Sequence, residues 1–469
     1  MIERSKKCDQ EGRTMTTIDD VANQKSDVLI IGAGLSGMKA ALELKNAGKR
    51  VLILEARDRI GGRSMPGEVG GQTVDFGGQW VGASQNLLRQ QAIELDVPMY
   101  RQYTSGNSLV NIDGKVHAYS STPKLPFLST LELGLTLHRW KRDMQTLPVG
   151  APWLAENALE WDSMSIEVWL DKHVDTTAAR DFARLVTSAI TCTESLHVSY
   201  LFFLECLRQG GGLEAMMAVE GGAQQDKFLG GAWQIPKRMA ERLDGCIVLN
   251  AAVSAIEQNA NGVRVTCAQG AFEASYAIVT APPPLASRIR FVPPLPVKRA
   301  GLLQRMQMGA VIKMHVAYPT PFWRRHGLNG SVASVGHHLG FVFDQSPEDE
   351  SIGVLVGLIE GNHALELSGL SQEARREHIV ADLVHYFGDE AAAPLDYADY
   401  DWTTDEWALG GYASHMPPGV LTSYGSSIRE PFGRIHWAGT ETATECIGYF
   451  EGALESGIRA ANEVMDLLR

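Results

Sequence analysis

The chain has 469 residues, 45% of them hydrophobic and 21% charged, with a formal net charge of −13. That length suffices for two or three globular domains, and the acidic balance argues against nucleic acid or an anionic membrane surface as a partner. Six scattered cysteines without a CxxC pair argue against a disulfide framework or a zinc site, and no apolar run approaches the ~18 residues of a membrane-spanning helix.

In chain order, residues 1–25 are polar and lack the apolar stretch of a signal peptide, so they read as a loose tail on a cytoplasmic protein. "SDVLIIGAGLSGMKAALELKNAGKRVLILEARDRIGGRS" (26–64) then spells a strand, a glycine turn, a helix and a second strand. Gly32, Gly34 and Gly37 have GxGxxG spacing: the first allows a tight turn, the second lets backbone approach a pyrophosphate, the third lets helix and strand pack closely. Leu35, Met38, Ala41 and Leu42 give the helix its apolar face, and Gly48 stops it. Glu55 ends the second strand, about 20 residues past the glycines, where a carboxylate can accept ribose hydrogen bonds. The unit predicts dinucleotide binding, with the phosphates at the helix N-terminus. Gly61, Gly62 and Arg63 add a bend and a cation near the same phosphates, which resembles the two-dinucleotide FAD oxidoreductases more than NAD dehydrogenases. "DFGGQWVG" (75–82) adds another glycine turn.

Residues 124–218 carry helical periodicity, and "YLFFLECL" (200–207) predicts a buried helix. Strand patterning returns over 245–284, with Asn261-Gly262 as a hairpin turn and Pro282-Pro283-Pro284 stopping "YAIVTA". Alternation over 305–360 predicts further strands, 371–387 a helix, and the end a strand, a turn and a helix. The economical organisation is α/β: a two-dinucleotide-binding, Rossmann-like FAD domain from residues 26–103, 229–300 and 405–469, interleaved with an α+β substrate domain from 104–228 and 301–404.

"IGAGLSG", "LEARDRIGGR", "FGGQWVG", "RMQMGAVIKMHVAYPTPFWR", "GGYASHMPPGVLTSYG" and "WAGTETATECIGYFEGALESG" together span the chain from residue 26 onward. With these motifs the chain resembles the flavin-containing monoamine oxidase family. The resemblance implies that Gly32, Gly34, Leu35, Ser36, Gly37, Glu55, Ala56, Arg57, Gly62, Arg63, Gly78, Gln79, Trp80, Val253, Trp402, Gly439, Thr440, Glu441, Gly448, Tyr449 and Phe450 hold FAD. It implies that the last helix begins under the flavin ring. Gly452, Ala453, Ser456, Gly457, Ala460 and Ala461 would then be small to admit that ring, the alternative being tight helix packing.

Tyr412 and Tyr449 fall on the family's two cage tyrosines, whose electron-rich faces orient an amine. Lys313 falls on its active-site lysine. Burial should disfavour the lysine's charge and leave it to hydrogen-bond through water to the flavin. The competing reading is a lysine that snorkels from an edge strand. Met217 and Phe343 take the gating positions of the substrate cavity, and both are apolar. Gly411 stands where the covalent members carry a cysteine, so the FAD should be bound non-covalently. No metal motif is present.

The resemblance thus implies oxidation of an amine, primary and bearing an apolar or long-chain group, to an imine that hydrolyses to aldehyde and ammonia, with O2 reduced to H2O2. The expected partners are that amine and O2, without nucleic acid or membrane, and with a homodimer as the compatible assembly. Alternatives are an L-amino-acid or polyamine oxidase of the same fold, a flavin-dependent desaturase or cyclising oxidase, and a non-catalytic flavin-binding protein.

Overall fold

The computed structural model describes residues 26–120 and 125–469, so the N-terminal segment read as a tail lies outside the described residues. Strand Ser26–Ile31 pairs in parallel with Val51–Leu54 on one side and Gly270–Val279 on the other. Ile247–Val248 adds beyond Val51–Leu54, and Ile435–Trp437 adds to Gly270–Val279, both parallel. Val28, Leu29 and Ile30 have no exposed surface, as strands covered on both faces require. Gly262–Cys267, Val253–Asn259 and Arg290–Val292 continue this sheet past Gly270–Val279. The parallel strands end at one edge, where Gly32, Glu55, Thr280 and Gly439 follow them. Ligands of open α/β sheets bind in the crevice at that edge.

The hairpin joining Val253–Asn259 to Gly262–Cys267 is one residue out of step with the sequence reading. Asn259 pairs with Gly262, so Ala260 and Asn261 form the turn and Gly262 already belongs to the next strand. Its φ of +155° and the carbonyl of Ala274, 2.4 Å from where a Cβ would stand, explain the glycine there.

Helix Phe450–Leu467 lies against helix Leu35–Asn46, and this contact corrects the reading of its small residues. A Cβ on Gly457 would stand 2.4 Å from the Ser36 carbonyl, and Ser456 Oγ is 3.0 Å from Ser36 Oγ. Ala460 and Ala461 are fully buried in the same core as Met38, Ala40 and Ala41. Gly452 is forced by its own entry turn, the Cys446 carbonyl being 2.3 Å from its would-be Cβ. Of the six small residues only Ala453 faces the cavity described below. Close helix–helix approach accounts for Ser456, Gly457, Ala460 and Ala461.

A second sheet of seven strands runs in the order Asp396–Asp401, Val311–Tyr318, Gly353–Glu360, Phe341–Asp344, Leu328–Ser334, Asn107–Ile112, Lys115–Tyr119. Val311–Tyr318 is thus flanked on both sides, with Lys313 opposite Leu358 and Tyr400. All eight of its residues are buried, which rules out the edge-strand reading of Lys313. Helices Phe127–Met144, Ile166–His173, Thr177–Thr191 and Tyr200–Gln209 pack around Trp140, Trp169, Tyr200 and Phe203. Ser165 and Ser199 cap two of them through their hydroxyls, satisfying N–H groups of the first turn. "YLFFLECL" is a buried helix, and no helix among the described residues is long and apolar enough to cross a membrane.

Candidate active site

A cavity of about 940 Å3 opens where the parallel strands end and reaches the second sheet and the helical layer. This is the upper part of the ~300–1,000 Å3 range of small-molecule sites. Of the residues expected at the cofactor, in catalysis and in the substrate cavity, all but Gly37 and Glu441 line it. Gly37 sits behind the wall: its would-be Cβ meets the Gly32 carbonyl at 2.1 Å and Ile30 at 3.2 Å, so it serves helix–strand packing. Glu441 is 2% exposed and binds Arg63 from behind.

At the cofactor end, Gly32 takes a φ of +109° and Gly34 opens the helix Leu35–Asn46. No atom lies within 4 Å of where a Gly34 Cβ would be, so a side chain there would project into the cavity. Glu55 accepts the Ala33 N–H at 2.6 Å and the Arg57 N–H at 2.9 Å, one on each oxygen. Each oxygen keeps a lone pair for a ligand hydroxyl. Arg57 pairs with Asp405 at 2.5 Å. Arg63 grips Glu441 through both terminal nitrogens, at 2.6 and 3.1 Å, and donates to the Tyr412 carbonyl at 2.7 Å. Its charge is balanced within the protein by Glu441, while the residue itself lines the cavity. It anchors the turn that carries Tyr412.

The other end is built around Lys313. It is 4% exposed, and its ammonium nitrogen donates to the Gly77 carbonyl at 2.7 Å and lies 5.6 Å from the centre of the Trp80 ring. Burial pulls its pKa well below the ordinary lysine value, and nearby Asp75 opposes this only in part. Burial raises Asp75 in turn, though it accepts the Ala232 and Trp233 N–H groups at 2.8 and 3.2 Å. Trp402 donates its indole N–H to the Phe76 carbonyl at 2.8 Å, fixing the same glycine turn. Trp80 and Phe343 pack edge to face at 5.1 Å.

Tyr449 occupies the N-cap of the last helix and packs against the helical layer. Tyr412 donates its hydroxyl to Glu360 at 2.6 Å. Burial raises both phenols, keeping them neutral. Met217, Phe343, Phe202, Val186, Ile190 and Phe341 give this end apolar walls.

Glu360 is the site residue that sequence reasoning missed. It closes the apolar run "GVLVGLIE", pairs with Val311 across the sheet, lines the cavity and is 5% exposed. Burial pushes its pKa up to about 7, opposed by the Tyr412 hydrogen bond. An acid interrupting a fully buried run was the available signal. Asp75 was missed likewise, in front of the glycines of "DFGGQ".

FAD fits this cavity on the observations at hand. The glycine cradle is open, Glu55 keeps acceptor capacity, and the buried Gln79 Oε1 and Ser64 Oγ on the lining residues have no protein partner. Residues 35–465 match the family described as flavin containing amine oxidoreductase. A protein of Mycobacterium tuberculosis (strain ATCC 25618 / H37Rv), named as a flavin-containing monoamine oxidase, AofH, is 40% identical over 443 residues, 94% of this chain and 97% of that one. The flavin-containing amine oxidase B of Sus scrofa is 36% identical over 453 residues, 94% of this chain and 86% of that one. Cyclohexylamine oxidase from Brevibacterium oxydans IH-35A superposes with a TM-score of 0.91 at 31% identity, covering 95% of this chain and 100% of that one. Wild-type putrescine oxidase bound to putrescine gives the same score and identity, covering 94% and 99%. With its dinucleotide crevice and aromatic, lysine-bearing pocket in one cavity, the chain belongs to the flavin-containing amine oxidoreductase family and is a flavin amine oxidase.

Proposed function

We propose that the enzyme holds FAD non-covalently and oxidises a primary amine bearing an apolar or long-chain group. The observation that carries this reading is one continuous cavity, with the glycine cradle and Glu55 at one end and apolar walls around Lys313, Tyr412 and Tyr449 at the other. Gly411 offers no nucleophile for a flavin link. Among the described cysteines only Cys206 lines the cavity, from the substrate-side helix, and burial holds its thiol protonated. The same reading divides the chain into FAD-binding segments 26–103, 229–300 and 405–469 and substrate-binding segments 104–228 and 301–404. In support, each large sheet draws its strands from one set alone.

FAD, when bound, supplies the two-electron oxidation of the C–N bond, giving an imine that hydrolyses to aldehyde and ammonia while O2 is reduced to H2O2. The protein's part is to bind, desolvate and orient. An aliphatic amine has a pKa near that of lysine, ~10.4, and reaches the cavity as a cation. The apolar walls solvate that cation poorly and favour the neutral amine with its free lone pair. Tyr412 and Tyr449 offer ring faces to the nitrogen. Lys313, held on the Gly77 carbonyl and shifted toward its neutral form, can hold a water without placing a full positive charge against the incoming amine.

Glu360 favours a second reading, a diamine or polyamine. Only one of its oxygens, Oε1, accepts a hydrogen bond from the described residues. Oε2 is left to receive a second ammonium, and the putrescine-bound relative shows that this fold accommodates a diamine.

Peroxide release over a panel of apolar primary amines, diamines and L-amino acids tests both readings. The first expects the highest kcat/KM with apolar primary amines, and aldehyde and ammonia in step with peroxide. Flavin-loaded enzyme that releases no peroxide with any amine overturns it. The second expects diamines to lead, and Glu360→Gln to lower kcat/KM for diamines at least tenfold while sparing apolar monoamines.

A further inference from the structure

On the face of the second sheet away from the cofactor crevice, five histidines gather: His337, His338, His363, His378 and His385. His337 and His338 sit in the loop joining Leu328–Ser334 to Phe341–Asp344. Asp382, on helix Gln372–Phe387, fixes that loop by accepting the Leu339 N–H at 3.0 Å and bonding His337 Nδ1 at 2.9 Å. The short helix Asn362–Ser368 presents His363 and Glu366 three residues apart, hence on one face. His338 stands between them. Its ring centre is 5.4 Å from that of His363 and 4.9 Å from that of His378, and its Nε2 is 3.8 Å from Glu366 Oε2.

We propose that His338, His363 and Glu366 form a binding site for a divalent transition metal ion of the zinc class. One ligand atom from each lies within 4.8 Å of the other two. Tetrahedral zinc, with bonds of ~2.0–2.2 Å, needs its donors within about 3.5 Å of one another. Closing that gap takes about an ångström of movement, which His363 and Glu366 have, both being exposed. His338 is the pre-positioned ligand. Its Nε2, 3.8 Å from Glu366 Oε2, is on the side of the other ligands, while its Nδ1 is on the side of Asp382, whose Oδ2 at 4.0 Å is beyond hydrogen-bond distance. Water, or His378 from the neighbouring helix, would complete the fourth position. Two imidazoles select zinc, copper, nickel or cobalt over magnesium or calcium, which prefer oxygen alone. The cluster shares no residue with the amine site. Its loop does run directly into Phe341 and Phe343, which line the cavity.

The test uses tag-free, FAD-loaded enzyme, stripped with a chelator and titrated with zinc chloride by calorimetry and with cobalt chloride by visible absorption. The expected result is one saturable zinc site, with cobalt d–d bands of low-coordinate nitrogen–oxygen ligation. His338→Ala and His363→Ala should each weaken zinc at least tenfold, and Glu366→Gln severalfold. His117→Ala, which alters an exposed histidine elsewhere, should change nothing. The flavin spectrum of each variant confirms that it is folded. Absence of a saturable site in the wild type, or undiminished affinity in the His338→Ala/His363→Ala double variant, overturns the proposal.

Discussion

Glu360 and Tyr412 meet in a buried contact whose energy depends on pH. The folded carboxyl titrates at about 7, against ~4.3 for an exposed glutamate. Between these values the folded state binds the proton that the unfolded state releases, so stability falls as pH rises through the window. Below it both states are protonated and the penalty vanishes; above it the penalty is complete, on the order of 3–4 kcal/mol. Glu360→Gln keeps an acceptor for the Tyr412 hydroxyl and removes the charge. Its melting temperature should therefore exceed that of the wild type at pH 8 and approach it at pH 4.5, as read by thermal denaturation at both pH values. An equal gain at both would mean that the carboxyl does not titrate in this window. The same residue shows where a sequence stops being legible. Tyr412 and Lys313 could be singled out because each sits in a motif of its own. Glu360 acquires its meaning only from cross-strand pairing with Val311 and from a tyrosine 52 positions away, and local pattern encodes neither.

Among the elements, the helices Leu35–Asn46 and Phe450–Leu467 carry two kinds of glycine that look alike in sequence. Gly34 and Gly457 both sit among small residues. The space beside Gly34 is the cavity, whereas beside Gly457 it is the Ser36 carbonyl at 2.4 Å. Gly34 has a φ of −76°, which any residue tolerates. Gly34→Ala should leave the melting temperature of the apoprotein near that of the wild type and raise the FAD dissociation constant, by fluorescence titration, at least tenfold. Gly457→Ala must push two packed helices apart, and overpacking of this kind costs about 1–3 kcal/mol. It should lower the apoprotein's melting temperature. Wild-type stability in Gly457→Ala, or wild-type FAD affinity in Gly34→Ala, would contradict the respective assignment. The GxGxxG unit was legible because its strand, turn and helix are contiguous and each glycine has a local reason. The small residues of the last helix were misread because a stripe of glycine and alanine suits a flat ligand and a neighbouring helix equally well. Only the tertiary contact decides between them.

Over the whole molecule, the two sheets meet through the turn at residues 76–79. Lys313 and Trp402 donate to the carbonyls of Gly77 and Phe76, and Gln79 bonds Gln345 across the same seam. The return of strands after the helical stretch was legible from the patterning of the sequence. The seam was not, because it consists of hydrogen bonds between residues more than 200 positions apart. The cavity draws its lining from both sheets, so a ligand filling it ties them together, and its binding energy adds to the stability of the pair. At a free FAD concentration one hundredfold above its dissociation constant, that linkage is worth about 2.7 kcal/mol. Apoprotein should melt at a lower temperature than holoenzyme, and its midpoint should climb with added FAD, as a reversible ligand requires. Acid precipitation of the yellow holoenzyme should leave the flavin in the supernatant, since Gly411 offers no thiol and burial holds the thiol of Cys206, on helix Tyr200–Gln209, protonated. Flavin carried down with the pellet would mean that the cofactor is attached, and a midpoint indifferent to added FAD would mean that the folded chain does not bind it reversibly. Release into the supernatant together with a rising midpoint requires a reversible, non-covalent site on the folded chain.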